Sequence, residues 1–214
     1  MDIESARYTI KDDWKVSPYY EIAERYNYFF WDQTSPFFLQ FSQLNCQSVL
    51  ELACGHGRHT AQIIDRVGDV TLVDINEENI EACRKRFGDR AGVTYLVNSG
   101  SDLGAVADSS KTAVFCYDAM VHFEIDDVIA YLEEIYRVLA PGGRALLHYS
   151  NYDKAPGNSY HDNPHWRNFN SERLFKHLAI RRGFSILNSE IMNWGFDAEM
   201  VADLDALTLI EKPA

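Results

Sequence analysis

From residue 48 onward, short apolar runs alternate with segments whose apolar residues recur every three or four positions. SVLELA (48–53), VTLVD (70–74), VTYLV (93–97), TAVFCY (112–117) and ALLHYS (145–150) are runs of strand length. After the first run, Thr60, Ile63, Ile64 and Val67 keep helical spacing, and after the second Ile80, Cys83 and Phe87 do the same. Val128, Leu132, Ile135 and Leu139 form the clearest stripe, ended by Pro141-Gly142-Gly143. Strands separated by helices of this length predict right-handed crossovers and a doubly wound, Rossmann-like parallel sheet in three αβα layers. Residues 171–182 read as a further helix, with Ser171 as cap and Leu174, Phe175 and Leu178 as its apolar face. Two extended runs near 184–192 and 206–211 lack a helix-length connection, which predicts a C-terminal antiparallel hairpin closing the sheet edge.

Two segments fall outside the alternation. Residues 1–45 concentrate aromatic side chains, from Trp14 and Tyr19 to Phe38 and Phe41, and read as an aromatic cap segment. Most of these rings, Phe29, Phe30 and Phe41 especially, are expected to be packing residues. The polar stretch NYDKAPGNSYHDNPHWRNFN (151–170) follows the fifth strand, and loops of that length are disproportionately lids or binding loops. The remainder, 46–214, is expected to form one domain carrying this loop as a lid.

A length of 214 residues suits one α/β domain. The net charge of −12 changes the picture more, because such a field repels a nucleic-acid backbone. The single basic cluster, Arg84-Lys85-Arg86, is flanked by acids, so no nucleic-acid partner is expected. Four cysteines (Cys46, Cys54, Cys83, Cys116) show no CxxC pairing, and the loop histidines with Asp162 match no zinc signature, so no metal is expected. MDIESARYTI lacks the features of a signal peptide, and no apolar run approaches the ~20 residues that span a bilayer. The expectation is a cytoplasmic protein without membrane contact, as monomer or homodimer.

The chemistry centres on VLELACGHGRHT (49–60). A glycine-rich turn after the first strand of an open sheet sits at the ligand-binding edge. Dinucleotide sites want a third small residue so that the following helix meets the pyrophosphate, and Thr60 stands there instead. Glu51 would also bring negative charge toward a pyrophosphate. An acid at that place suits a cationic or amine-bearing cofactor.

ELACGHGRHT resembles the first motif of class I S-adenosylmethionine-dependent methyltransferases, an acid followed by GxGxG. VTLVDIN resembles their second motif, and TAVFCYDAMVHFE and YRVLAPGGRALLHYSN resemble their fourth-strand and post-Pro-Gly segments. The similarity runs in order over about residues 45–150. It implies S-adenosyl-L-methionine as cofactor, S-adenosyl-L-homocysteine as product, and transfer of a methyl group to a small-molecule acceptor. The usual first glycine is Ala53 here, expected to close the strand with φ below zero. Gly55 and Gly57 keep the places nearest the cofactor.

By that resemblance Asp74, with Ile75 beside it, holds the ribose hydroxyls; otherwise Asp74 is a helix N-terminal acid. Glu51 orders the aminoacyl end, or is a buried acid satisfied by amides. Asp102 with Ser101 grips the adenine, or belongs to a plain turn. Arg58 pairs with Glu51 or reaches the cofactor carboxylate, or is a solvated helix-start arginine. Tyr19, Tyr20 and Tyr26 are candidates for the methionine carboxylate, Tyr19 also for the acceptor, and Tyr117 at the fourth strand end for the cofactor. His122 and His148, after the fourth and near the end of the fifth strand, are the candidate bases, since a neutral imidazole accepts an acceptor's proton. VHFE, HYSN and NPHWRNFNSE resemble a bacterial subgroup with small polar acceptors, sugar-related ones among them, in which a second histidine often stands where Tyr149 is. Asp118, Asn151, His165 and Arg167 are the acceptor-site candidates, with His161 and Trp166 completing the lid. A hydroxyl acceptor on a sugar-related or secondary metabolite is the leading expectation. N-methylation, a dinucleotide oxidoreductase and a non-catalytic cofactor-binding module remain the alternatives.

Overall fold

The computed structural model describes residues 2–214. Seven strands form one sheet: β1 (Ser48–Leu52), β2 (Asp69–Asp74), β3 (Val93–Val97), β4 (Lys111–Cys116), β5 (Leu139–Ser150), β6 (Ser185–Trp194) and β7 (Val201–Glu211). Their order is β3-β2-β1-β4-β5-β7-β6. All pairs from β3 to β5 are parallel, and β7 pairs antiparallel with both β5 and β6. The strand order reverses between β1 and β4, so a crevice opens at their carboxyl ends.

Among the described residues eight α-helices accompany the sheet: α1 (Ile3–Asp13), α2 (Tyr19–Arg25), α3 (Asn27–Phe30), α4 (Pro36–Phe41), α5 (Thr60–Ile63), α6 (Glu77–Phe87), α7 (Ile125–Val138) and α8 (Glu172–Arg181). Alternation in the buried strands sends Leu50 and Leu52 to one face, where Leu132 and Ile135 of α7 and Phe175 of α8 cover them. Val49, Phe115 and Leu146 face the other way, against Phe37 and Phe41 of α4 and Ile63 of α5. On that same side Leu72 packs with Ile80 and Cys83 of α6. This is the expected three-layer arrangement, with an antiparallel C-terminal edge.

Three boundaries differ from the pattern. β5 begins at Leu139, not 145, because Lys111 already pairs with Leu139 and the register then shifts before Ala113 meets Arg144. Pro141-Gly142-Gly143 is thus an irregularity inside the strand, and Gly142 N–H donates to the Lys212 carbonyl at 2.8 Å. β7 starts at Val201 because Trp194 of β6 still finds a partner there. α5 stops at Ile63, a single turn, although Ile64 and Val67 continue to pack on the core.

Residues 3–41 fold as α1 to α4. Asp2 caps α1 by accepting from Ser5 N–H at 2.9 Å, and Ser35 with Pro36 opens α4. α1 lies across the carboxyl ends of the strands. Its Lys11 carbonyl accepts from Asn76 Nδ2 at 3.0 Å, its Arg7 pairs with Asp127 at the start of α7, and its Asp13 holds His161 of the long loop at 2.7 Å. Among the described residues no helix is long and apolar enough to cross a membrane.

Candidate active site

The chain leaves β1 through Ala53, Gly55 and Gly57, all left-handed at φ 54°, 52° and 71°. The glycines suit this. A Cβ on Gly55 would lie 2.7 Å from Tyr20 Cε1, and one on Gly57 would lie 2.6 Å from Phe87 Cε2. Ala53 does not have the negative φ expected of it. It takes the conformation that a glycine adopts freely, at a cost of ~1–2 kcal/mol for an L-residue.

Three amides of this stretch are already engaged. Gly55 N–H donates to Asp74 Oδ2 at 2.9 Å, Gly57 N–H to the Cys54 carbonyl at 2.8 Å, and Thr60 N–H to Glu51 Oε2 at 3.1 Å. α5 is one turn long, too short to give a pyrophosphate the N-terminus of a substantial helix. Thr60, the residue that breaks the dinucleotide pattern, is the partner of Glu51 through its hydroxyl as well. Burial dominates the Glu51 carboxyl and raises it from 4.5 to about 7 against those two bonds. Asp74 is buried too, and burial raises its pKa. Bonds from the backbone N–H of Asn76 and Gly55 and from Asn79 Nδ2 pull the other way.

Both acids line one cavity of about 100 Å³, roofed by Ile10, Trp14, Tyr19 and Tyr20 of the N-terminal helices and their linker. Four buried polar atoms of residues lining it lack any partner among the described residues: Trp14 Nε1, His59 Nε2, Asn76 Oδ1 and Asn79 Oδ1. His59 Nδ1 accepts from Trp31 Nε1 at 3.1 Å, so its orphaned Nε2 is a donor. A buried polar group without a partner costs ~1–3 kcal/mol, so this set of two donors and two acceptors fits a polar ligand. A smaller cavity of about 50 Å³ continues past Asp74 and Ile75 to Asn98, Gly100 and Tyr131.

His122 and His148 part company. His122 is held by a 2.7 Å bond from Nδ1 to the Trp166 carbonyl, which puts its proton there and leaves Nε2 as an acceptor without a protein partner among the described residues. It lines the main cavity, its ring 4.7 Å from that of Trp14, and burial, with Arg167 nearby, lowers its pKa to about 4. His148 is wholly buried, with Nδ1 accepting from Asp118 N–H at 3.0 Å and Nε2 facing Asp205 Oδ2 at 3.1 Å. It has no free nitrogen to offer an acceptor.

Arg167, expected at the acceptor, is also buried, in a two-pronged pair with Asp205 at 2.9 and 2.6 Å. That pair and His148 hold Asp205 down to about 2, burial opposing them. Arg58 does not meet Glu51, and its side chain is mostly buried. It bonds Asp118 Oδ2 at 2.7 Å, and Tyr19 hydroxyl donates to the same oxygen at 2.5 Å. Asp118 itself stands at φ 58°, a strained conformation of the kind found at functional sites.

Other candidates are placed elsewhere. Asp102 bonds Ser99 and Gly104 N–H within its own turn, and neither it nor Ser101 lines either of these two cavities. Tyr26 stacks on Phe196 at 5.0 Å, away from the glycine turn, and Phe29 beside it is 46% exposed instead of packed inside. Asn151 is structural, bonded to the Asp203 carbonyl and to Glu172 N–H. His165 Nε2 donates to the Glu199 carbonyl at 2.8 Å beside a second cavity. Tyr117 lines both cavities, and Tyr149 packs on Phe175 with its hydroxyl on Thr208. Trp14, His59, Asn76, Asn79 and Asp205 were not singled out by sequence. Asn76 and Asn79 carried a signal in their closeness to Asp74, whereas Asp205 lay in a strand with none.

Residues 49–143 match the family described as methyltransferase domain. Over 107 residues the chain is 31% identical to the ubiquinone/menaquinone biosynthesis C-methyltransferase UbiE of Psychromonas ingrahamii, covering 47% of this chain and 41% of that protein. The chain spans about two fifths of the length of the curated relatives it matches. Among solved structures, a SAM-dependent methyltransferase of Methanosarcina mazei shares the fold with a TM-score of 0.66 at 16% identity, over 84% of this chain and 98% of that one. The PH0226 protein of Pyrococcus horikoshii does so with a TM-score of 0.60 at 21% identity, over 86% and 94%.

Proposed function

We propose that the chain, whose residues 49–143 match the methyltransferase-domain family, is an S-adenosyl-L-methionine-dependent methyltransferase acting on a hydroxyl oxygen of a small molecule. The observation that carries this reading is the polar lining of the first cavity. Two buried carboxylates, and four residues that each carry a buried polar atom without a partner among the described residues, line it, while the one-turn α5 offers a pyrophosphate little of a helix N-terminus. A nucleoside joined to an amino acid answers that lining better than a dinucleotide does. When bound, the cofactor supplies a methyl group on a cationic sulfur.

The chain's residues do the rest. Asp74, with Asn76 and Asn79 behind it, would hold the ribose hydroxyls, and Glu51 would face the cationic amino-acid portion. Trp14 and His59 offer the donors. The α1 roof excludes water, which strengthens every charge interaction beneath it. His122 takes the role of base, with its tautomer set by the Trp166 carbonyl and Nε2 free. The acceptor is read as a small molecule and not a nucleic acid, since the net charge of −12 opposes a phosphate backbone.

In a thermal-shift measurement S-adenosylhomocysteine should raise the melting temperature while NAD and NADP leave it unchanged. The reverse result rejects the reading. His122→Ala should keep the S-adenosylhomocysteine shift and lower turnover ~10²–10⁴-fold, the range of general-base catalysis. Unaltered turnover would remove His122 from the mechanism.

A further inference from the structure

Next to the first cavity lies a much larger groove of about 720 Å³, large enough for a metabolite with several rings. The two share Tyr19, Ala23, Arg58 and Tyr117, so one layer of side chains separates them. The groove's walls are aromatic. Phe30 and Trp194 have planes parallel to within 7° with centroids 6.1 Å apart, and Tyr26 and Phe196 stack at the rim. Tyr26, Phe29 and Phe196 leave much of their apolar surface in water at the mouth, which favours a ligand that covers it.

The polar lining is sparse and largely engaged within the protein. Ser35 hydroxyl donates to the Phe30 carbonyl at 2.5 Å, Asn193 Oδ1 accepts from Asp203 N–H at 3.0 Å, and His165 Nε2 is on the Glu199 carbonyl. Few donors remain for a molecule with many hydroxyls. The cationic side chain in the lining, Arg58, is neutralised by Asp118 at 2.7 Å, while Glu190 and Glu199 add negative charge. A carboxylate, sulfonate or phosphate ester would lose its hydration there without gaining a partner.

We propose that this groove is the acceptor site and that the acceptor is an uncharged, planar aromatic alcohol of two or three rings, lying along the Phe30 and Trp194 planes with its hydroxyl toward Tyr19, which lines both cavities. The proposal rests on the methyltransferase reading and names its substrate class. Flat rings match flat walls, and aromatic contacts of this kind are worth ~0.5–1.5 kcal/mol each beyond burial.

The test is calorimetric titration of the full chain, saturated with S-adenosylhomocysteine, using three probes: 2-naphthol, its 6-sulfonate and methyl α-glucoside. The naphthol should bind at least tenfold more tightly than the sulfonate or the glucoside. Phe196→Ala and Trp194→Ala should each weaken the naphthol at least tenfold and leave S-adenosylhomocysteine affinity unchanged; Phe196 is exposed, so its replacement does not endanger the fold. No naphthol binding, equal binding of the sulfonate or glucoside, or a naphthol affinity untouched in both variants overturns the aromatic acceptor. Because S-adenosylhomocysteine is titrated first on each sample, its failure to bind is seen separately and counts against the methyltransferase reading itself.

Discussion

At the residue scale, Glu51 and Ala53 show how a site departs from what is locally comfortable. Glu51 is buried at 3% exposure and held by Thr60, so its charge waits for a counterion. Its pKa in the folded state stands at about 7, above the ordinary 4.5. The protonated form is therefore favoured by folding. That contribution is whole below pH 4.5 and is lost as pH rises through 7, so the free protein loses stability across this window. A ligand with a cationic amino group reverses the preference, and S-adenosylhomocysteine affinity should rise between pH 6 and 7. Calorimetry on Glu51→Gln should find that rise flattened; an identical slope would remove Glu51 from the amino-acid end. Ala53 is simpler. Replacing it with glycine at φ 54° relieves the left-handed strain, and Ala53→Gly should stabilise the fold by about 1 kcal/mol, seen as a rise of ~2–4 °C in melting temperature.

At the element scale, the long loop after β5 is tied down by a buried charge. Arg167 enters beneath Trp194, its guanidinium 4.8 Å from the ring centroid, and meets Asp205 on β7, which in turn faces His148 on β5. The antiparallel register makes this possible, since Ser150 pairs with Asp205 and His148 with Leu207. The chain Arg167–Asp205–His148 ends on Asp118 N–H, so the loop and the strained residue at the end of β4 are mechanically linked. Asp205→Asn leaves Arg167 buried without its charge partner and should cost ~3–5 kcal/mol in urea unfolding. An apolar double replacement, Arg167→Met with Asp205→Leu, should recover most of that loss, which separates the pair's burial from its charge. With Asp205 held at about 2, its stabilisation is present above pH 3.8 and is lost as pH falls through 2.

At the scale of the whole molecule, α1 acts as a roof that touches α6, α7 and the long loop through Asn76, Asp127 and His161. Tyr20 sits against Gly55 with its hydroxyl on the Trp14 carbonyl and on Asn79 Nδ2, so the roof and the floor of the cavity bond directly. Few of these contacts are apolar: α1 has no buried residue. A segment held mainly by polar contacts opens at low free energy. S-adenosylhomocysteine should therefore slow amide exchange in α1 and α2 far more than in α7, whose stripe is already buried. Equal protection of all three helices would contradict the roof.

How much was legible from the chain follows from range. Periods of two and 3.6 residues are local, so the strands, the helices and the parallel order emerged from the sequence, as did the acids Glu51 and Asp74 that end or precede a strand-to-turn junction. Thr60 marked what the turn does not bind, and its bond to Glu51 gives that a physical reason. Side-chain partnership is not local. That His148 faces Asp205 while His122 keeps a free nitrogen depends on which strands become neighbours, 57 residues apart in the first case. Arg167 is buried against the carboxylate that β7 brings beneath it, and Ala53 takes a positive φ in a turn whose Gly55 and Gly57 press on Tyr20 and Phe87. The sequence by itself determined the fold class, the turn and its acids; the tertiary structure alone decided which polar atoms are satisfied by the protein and which are left for a ligand.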